Sequence, residues 1–166
     1  TGHPPVVAPF ILDDNSSIEY FFEPQGDCTI ELRGIYFLVK RKDGLVFTGN
    51  FIVPAADNNR FIIDRCVIEN ISGAGTPDLF DAWDYVNNNF YITNCEFRNN
   101  QGDNADSPGF SWFGPGDFPC DTAKFMNNTF FINGGSILGA DDFGCHYLEF
   151  DHNTVFFSTQ GGVFNI

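Results

Sequence analysis

Positive charge is what this chain has least of: eight Lys and Arg stand against 22 Asp and Glu, a formal charge of −14 over 166 residues. A field of that sign repels phosphate backbones and anionic headgroups, which excludes nucleic acid and membrane surfaces as partners. Long apolar runs are missing too. No stretch of eighteen uncharged apolar residues occurs, and the opening TGHPPVVAPF has neither a basic nor an apolar leader region, so no membrane insertion and no retained signal peptide are expected. Among the five cysteines, Cys28, Cys66, Cys95, Cys120 and Cys145, no Cys-X-X-Cys or zinc-type Cys/His spacing occurs. Gly-X-Ser-X-Gly, the EF-hand loop and the Gly/Asp-rich nonapeptide are absent as well, which removes their chemistries.

What remains is apolar and aromatic. With 43% hydrophobic, 17% aromatic and only 18% charged residues, the chain is too hydrophobic to stay disordered, and its length suits one domain. Its strongest signal is self-similarity. IDRCVIENI (63–71), ITNCEFRNN (92–100), MNNTFFING (126–134) and HNTVFFST (152–159) align on Cys66, Cys95, Thr129 and Thr154, which lie 29, 34 and 25 residues apart. Two positions on stand Ile68, Phe97, Phe131 and Phe156; four positions on stand Asn70, Asn99, Asn133 and Ser158. That period-two order describes a strand with alternate side chains facing one interior, ending in a bend. IELRGIYFL (30–38) and LVFTGNFIV (45–53) are weaker strand-like copies. The copies are too short and too rich in Phe, Ile, Val, Thr and Asn for paired helices, so the expected fold is all-β, a parallel β-helix solenoid.

The motifs I-X-N-C-X-F-X-N-N at 92–100, N-N-T-F-F-X-N-G-G at 127–135 and D-H-N-T-V-F-F at 151–157 resemble the right-handed parallel β-helix repeats of the pectate-lyase-like superfamily, of the secreted bacterial type. The resemblance covers about four-fifths of the chain. It implies five to six coils, an extracellular or cell-surface location, and a ladder of stacked amides at Asn70, Asn99 and Asn133. The fold hosts lyases, hydrolases, adhesins and tailspikes, so it does not by itself name an activity. Enzymes of the family use calcium on carboxylates with a basic residue. No matched catalytic motif carries such a set over to this chain.

DFPCDTAKF (117–125) and DFGCHYLEF (142–150) also align, placing Cys120 and Cys145 one above the other at a separation that a disulfide tolerates. A disulfide or a stacked thiol pair is expected there, and a buried thiol ladder at Cys66 and Cys95. Residues 1–27, rich in Pro and without a repeat, read as an N-terminal extended arm or cap; residues 28–166 read as coils. The last residues, GGVFNI, read as a strand without a cap, so an open end is expected, completed by the rest of a longer chain or by another copy.

Acidic residues cluster between the copies. In TPDLFDAWDYV (76–86), Thr76 reads as an N-cap and Pro77 as the first residue of a short helix, with Asp78, Asp81 and Asp84 along one side. These three are candidate ligands for calcium, the one cofactor the sequence leaves open though it requires none, and Asp81 and Asp84 are candidate acid/base residues. Trp83 and Tyr85 beside them, and Trp112 and Phe113 in the insertion at 101–118, are candidate sugar-stacking residues. The structural reading of the first cluster is an acidic helix turn packed by Leu79, Phe80 and Trp83. His146 and His152, near Asp141, Asp142 and Asp151, form a third cluster. The sequence favours an extracellular structural or adhesive protein able to self-assemble end to end. The alternative is the scaffold of a polysaccharide lyase, glycoside hydrolase or carbohydrate-binding protein.

Overall fold

The computed structural model describes residues 6–12, 20–41, 47–48, 50–72, 80–81, 85–100, 110–111, 120–133, 138–139, 145–158 and 164–165. The ordered elements among them are strands. In chain order they are β1 (Val6–Leu12), β2 (Tyr20–Phe22), β3 (Thr29–Arg33), β4 (Ile35–Arg41), β5 (Phe47–Thr48), β6 (Asn50–Ile52) and β7 (Arg60–Asp64). There follow β8 (Val67–Glu69), β9 (Ile71–Ser72), β10 (Phe80–Asp81), β11 (Asn88–Thr93), β12 (Glu96–Arg98) and β13 (Phe110–Ser111). The series ends with β14 (Cys120–Met126), β15 (Thr129–Asn133), β16 (Leu138–Gly139), β17 (Cys145–Asp151), β18 (Thr154–Ser158) and β19 (Phe164–Asn165).

Three parallel sheets take up nearly all of these strands. Sheet A has the order β1-β4-β8-β12-β15-β18, sheet B the order β2-β6-β10-β13-β16-β19, and sheet C the order β3-β7-β11-β14-β17, with β5 and β9 forming a small fourth pair. Read along the chain, the strands visit A, B and C in the same rotation each time. Val6–Leu12 and Tyr20–Phe22, from the stretch read as arm or cap, are therefore strands of sheets A and B. Pro9 lies in β1, which ends the strand order of sheet A among the described residues, the kind of edge position where proline is tolerated.

Alternation along each strand sorts the side chains. In sheet C the row Leu32, Ile63, Ile92, Phe125, Phe150 faces inward, and so does Ile30, Phe61, Phe90, Ala123, Leu148. In sheet A the inward row runs Phe37, Ile68, Phe97, Phe130, Val155. Neighbouring rings stack at the strand spacing: Phe61 on Phe90 at 5.1 Å and Phe97 on Phe130 at 5.0 Å between centroids. A stacked pair of this kind contributes about 0.5–1.5 kcal/mol beyond its buried area.

The register corrects the alignment of the copies. Glu96 pairs with Thr129, so Cys95 is level with Asn128 rather than with Thr129. The residues two positions after the aligned ones then change sides: Ile68 and Phe97 face the core, but Phe131 and Phe156 face outward, and Phe130 and Val155 take the inner places. A one-residue slip has this effect wherever side chains alternate with period two.

Candidate functional site

The corners between sheets carry the most ordered polar chemistry. Asn58, Asn70, Asn87, Asn94, Asn99 and Asn127 all have positive φ, as do Arg65, His152 and Gly34. Asn tolerates that left-handed region better than most residues because its short amide bonds locally. The amides also join successive passages: Asn99 Nδ2 donates to Asn70 Oδ1 at 2.7 Å, and Asn87 Nδ2 donates to Asn58 Oδ1 at 3.2 Å. Asn133 lies outside the Asn70–Asn99 row: Arg98 pairs with Phe131, so the shifted register sets Asn133 level with Asn100 rather than Asn99, and it pairs onward with Ser158.

Buried one residue further in are two ladders in which cysteine and asparagine exchange places; the sequence points to Cys66 with Cys95 and Cys120 with Cys145 but not to the asparagines that continue these rows. The first runs Cys66, Cys95, Asn128, Asn153. Asn128 Oδ1 accepts the Cys95 N–H and Asn153 Oδ1 accepts the Asn128 N–H, each at 2.9 Å. Each side chain also donates to the same carbonyl row: Cys66 to Leu32, Cys95 to Ile63, Asn128 to Ile92 and Asn153 to Phe125. A thiol thus replaces an amide as donor, but it is the poorer acceptor: Cys66 N reaches Cys95 Sγ only at 3.5 Å. The second ladder runs Cys28, Asn59, Asn88, Cys120, Cys145, with Asn88 Oδ1 accepting from Asn59 N at 3.1 Å and Asn59 Oδ1 from Cys28 N at 3.3 Å.

Cys120 and Cys145 are register partners, as their matching segments imply. No disulfide joins them, which corrects the bonded alternative: all five cysteines are free thiols, and these two Sγ atoms are 2.8 Å apart, against about 2.05 Å for a bond.

The outward faces carry rows of charge and aromatic surface. On sheet A, the Tyr36 hydroxyl donates to Glu69 Oε2, while Arg98 donates to Glu96 Oε2 at 2.6 Å, lies 4.0 Å from Glu69 and stands 5.8 Å from the Tyr36 ring. The hydrogen bond to Glu69, helped by burial, pushes the Tyr36 phenol up. A guanidinium standing between two carboxyls builds a charge ladder across three strands. It differs from a glycosidase pair, whose two carboxyls face one open gap. Beyond it, Phe131 and Phe156 stack at 4.9 Å and 6°, and the Phe156 ring is 43% exposed. On sheet C, Arg60 lies over the Tyr91 ring at 4.7 Å and Lys124 over the Tyr147 ring at 5.0 Å; Lys124 also pairs with Glu149 at 3.0 Å, which raises its ammonium.

Most candidate residues from the sequence are not brought together here. Asp78, Trp83, Asp84, Trp112 and Phe113 lie outside the described residues. Phe80 and Asp81 form strand β10, with Asp81 level with Ser111, which corrects the helix expected over 76–86 at these two positions, where pairing with β6 and β13 decides; residues 76–79 and 82–84 lie outside the described residues. Tyr85 is half-buried, and its carbonyl accepts from Asn88 Nδ2 at 3.4 Å. His146 Nδ1 meets Asp121 at 3.3 Å and His152 Nδ1 meets Asp151 at 2.7 Å, two separate exposed pairs. Among the described residues no group of three or more His, Cys, Asp or Glu is placed to hold a metal ion. The Tyr36–Glu69–Arg98–Glu96 ladder was not anticipated. Its only trace in the sequence is polar residues at outward positions of the copies. The chain matches no family model, no curated protein and no solved structure.

Proposed function

We propose that this chain is a right-handed parallel β-helix of the pectate-lyase-like kind, located outside the cell, and that it acts as a structural or adhesive element assembling end to end with copies of itself. The fixed A-to-B-to-C rotation of parallel strands supports the helical winding. One observation carries the assembly. Leu148, on edge strand β17, continues the inward row in which Phe61, Phe90 and Ala123 are fully buried and Ile30, at the opposite edge, is half-buried, yet Leu148 is 39% exposed. On β18, the adjoining edge of sheet A, Phe156 presents a ring in line with its stack. Among the described residues no further strand pairs with β17 or β18, and a sheet edge that carries apolar side chains is a template for another parallel strand.

Negative-stain microscopy and sedimentation of the 1–166 chain over a concentration series test the reading. Regular filaments or end-to-end dimers, lost in Leu148→Glu, are the expected result. Monodisperse particles at every concentration overturn it. That outcome favours the alternative, a carbohydrate-binding or polysaccharide-active scaffold, which the half-exposed Tyr147 and the cation-capped Tyr91 support.

A further inference from the structure

The five cysteines are not equivalent. Cys66 and Cys95 are sealed in the core and donate to buried carbonyls, and Cys28 faces the Asn59 amide. Cys120 and Cys145 differ. Their Cα atoms are direct partners in the parallel β14–β17 ladder, and their sulfurs lie 2.8 Å apart. One of them is also reachable, since Cys145 is half-exposed on edge strand β17 while Cys120 is buried. The His146–Asp121 pair braces the same two strands one residue further on. We infer that Cys120 and Cys145 form a reversible dithiol site, which a small disulfide oxidant such as glutathione disulfide closes into a staple between β14 and β17.

The exchange balances without another reactant. Cys145 loses its proton to solvent and attacks one glutathione sulfur, forming a mixed disulfide and releasing one glutathione, which takes up a proton. Cys120 then attacks Cys145 Sγ; the Cys120–Cys145 bond forms, the Cys145–glutathione bond breaks, and the second glutathione leaves as its thiol. Two protein thiols are oxidised and one glutathione disulfide is reduced to two thiols. The order of attack follows from exposure. It agrees with the electrostatics, since the hydrogen bond with Cys120 lowers the Cys145 thiol while burial pushes Cys120 up.

The test titrates the reduced, folded 1–166 chain with glutathione disulfide and glutathione at fixed ratios, traps thiols by alkylation and maps the linked peptides by mass. The expected product has two fewer alkylatable thiols than the five present, is lighter by two hydrogens, and carries its link between residues 120 and 145. Dithiothreitol reverses it. The thermal midpoint of the closed form rises by about 5–10 °C, as closing a loop of this size implies. Cys120→Ser should instead accumulate one glutathione on Cys145. Full retention of both thiols in excess oxidant, or a link at another pair, overturns the inference, and both are read on the unaltered chain.

Discussion

Asp64 shows how one side chain can tie three passages of the chain together. Its carboxylate accepts from Arg33 at 3.1 Å, Arg65 at 2.8 Å, Thr93 at 3.0 Å and Asn94 at 2.8 Å, with its side chain only 11% exposed. Burial alone would push this carboxyl up, but the hydrogen bonds from Asn94, Arg65 and Thr93 outweigh it and hold the group below its ordinary 3.8. A folded-state value below the unfolded one means that the unfolded chain binds the proton first. The stabilisation is therefore complete above the ordinary value and is lost as pH falls through the depressed one. Asp64→Asn should cost about 2–3 kcal/mol at neutral pH. Denaturant unfolding of both proteins at pH 7 and near pH 3 should show the gap closing in acid; an unchanged gap would refute this account. None of this was legible in the sequence, because Thr93 and Asn94 come from the next passage, 29 and 30 residues on. Spacing signals such distant neighbours, but not which atoms meet.

At the scale of the strand, register decides which ring is core. The copies at 126–134 and 152–159 carry Asn then Thr near their start, Asn128-Thr129 and Asn153-Thr154, so they align with Cys95 equally well through either residue type. The choice of Thr put Phe131 and Phe156 inside. The buried ladder, in which Asn128 and Asn153 continue the cysteine row, shows why Asn is the true equivalent. The repeat, the strand type and the stacking of Cys120 on Cys145 were legible, since period-two alternation and matching segments depend only on local order. The helix reading over 76–86 gives way at Phe80–Asp81 for the opposite reason: Thr-Pro-Asp is a local cap signal, whereas β10 is held by strands far away in sequence. The corrected register makes a sharp comparison. Phe130→Ala removes a fully buried ring stacked on Phe97 and should cost about 3–5 kcal/mol. Phe131→Ala, one residue on and outward, should cost about 1 kcal/mol or less. Thermal unfolding of the two variants distinguishes the registers, and the reverse ranking would restore the original alignment.

For the whole molecule, charge and apolar surface act against each other. Every copy carries a formal charge of −14, so two copies approaching end to end repel over the full Debye length, about 30 Å at 0.01 M salt and 10 Å at 0.1 M. The contact proposed at the edge is apolar, through Leu148 and Phe156, and burial of that kind is little affected by screening. Added salt should therefore remove the opposing term and leave the favourable one. Light scattering at fixed protein concentration should rise steeply between about 0.01 M and 0.5 M sodium chloride, well beyond one Debye regime. Leu148→Glu should flatten the response at every salt concentration, because it puts a charge where the apolar contact forms and leaves the long-range field almost unchanged. The opposite trend, assembly that dissolves as salt is added, would mean that ion pairs hold the copies together. The outward rows of Arg60, Lys124 and Glu149 would then be the contact, and the edge of β17 and β18 would not.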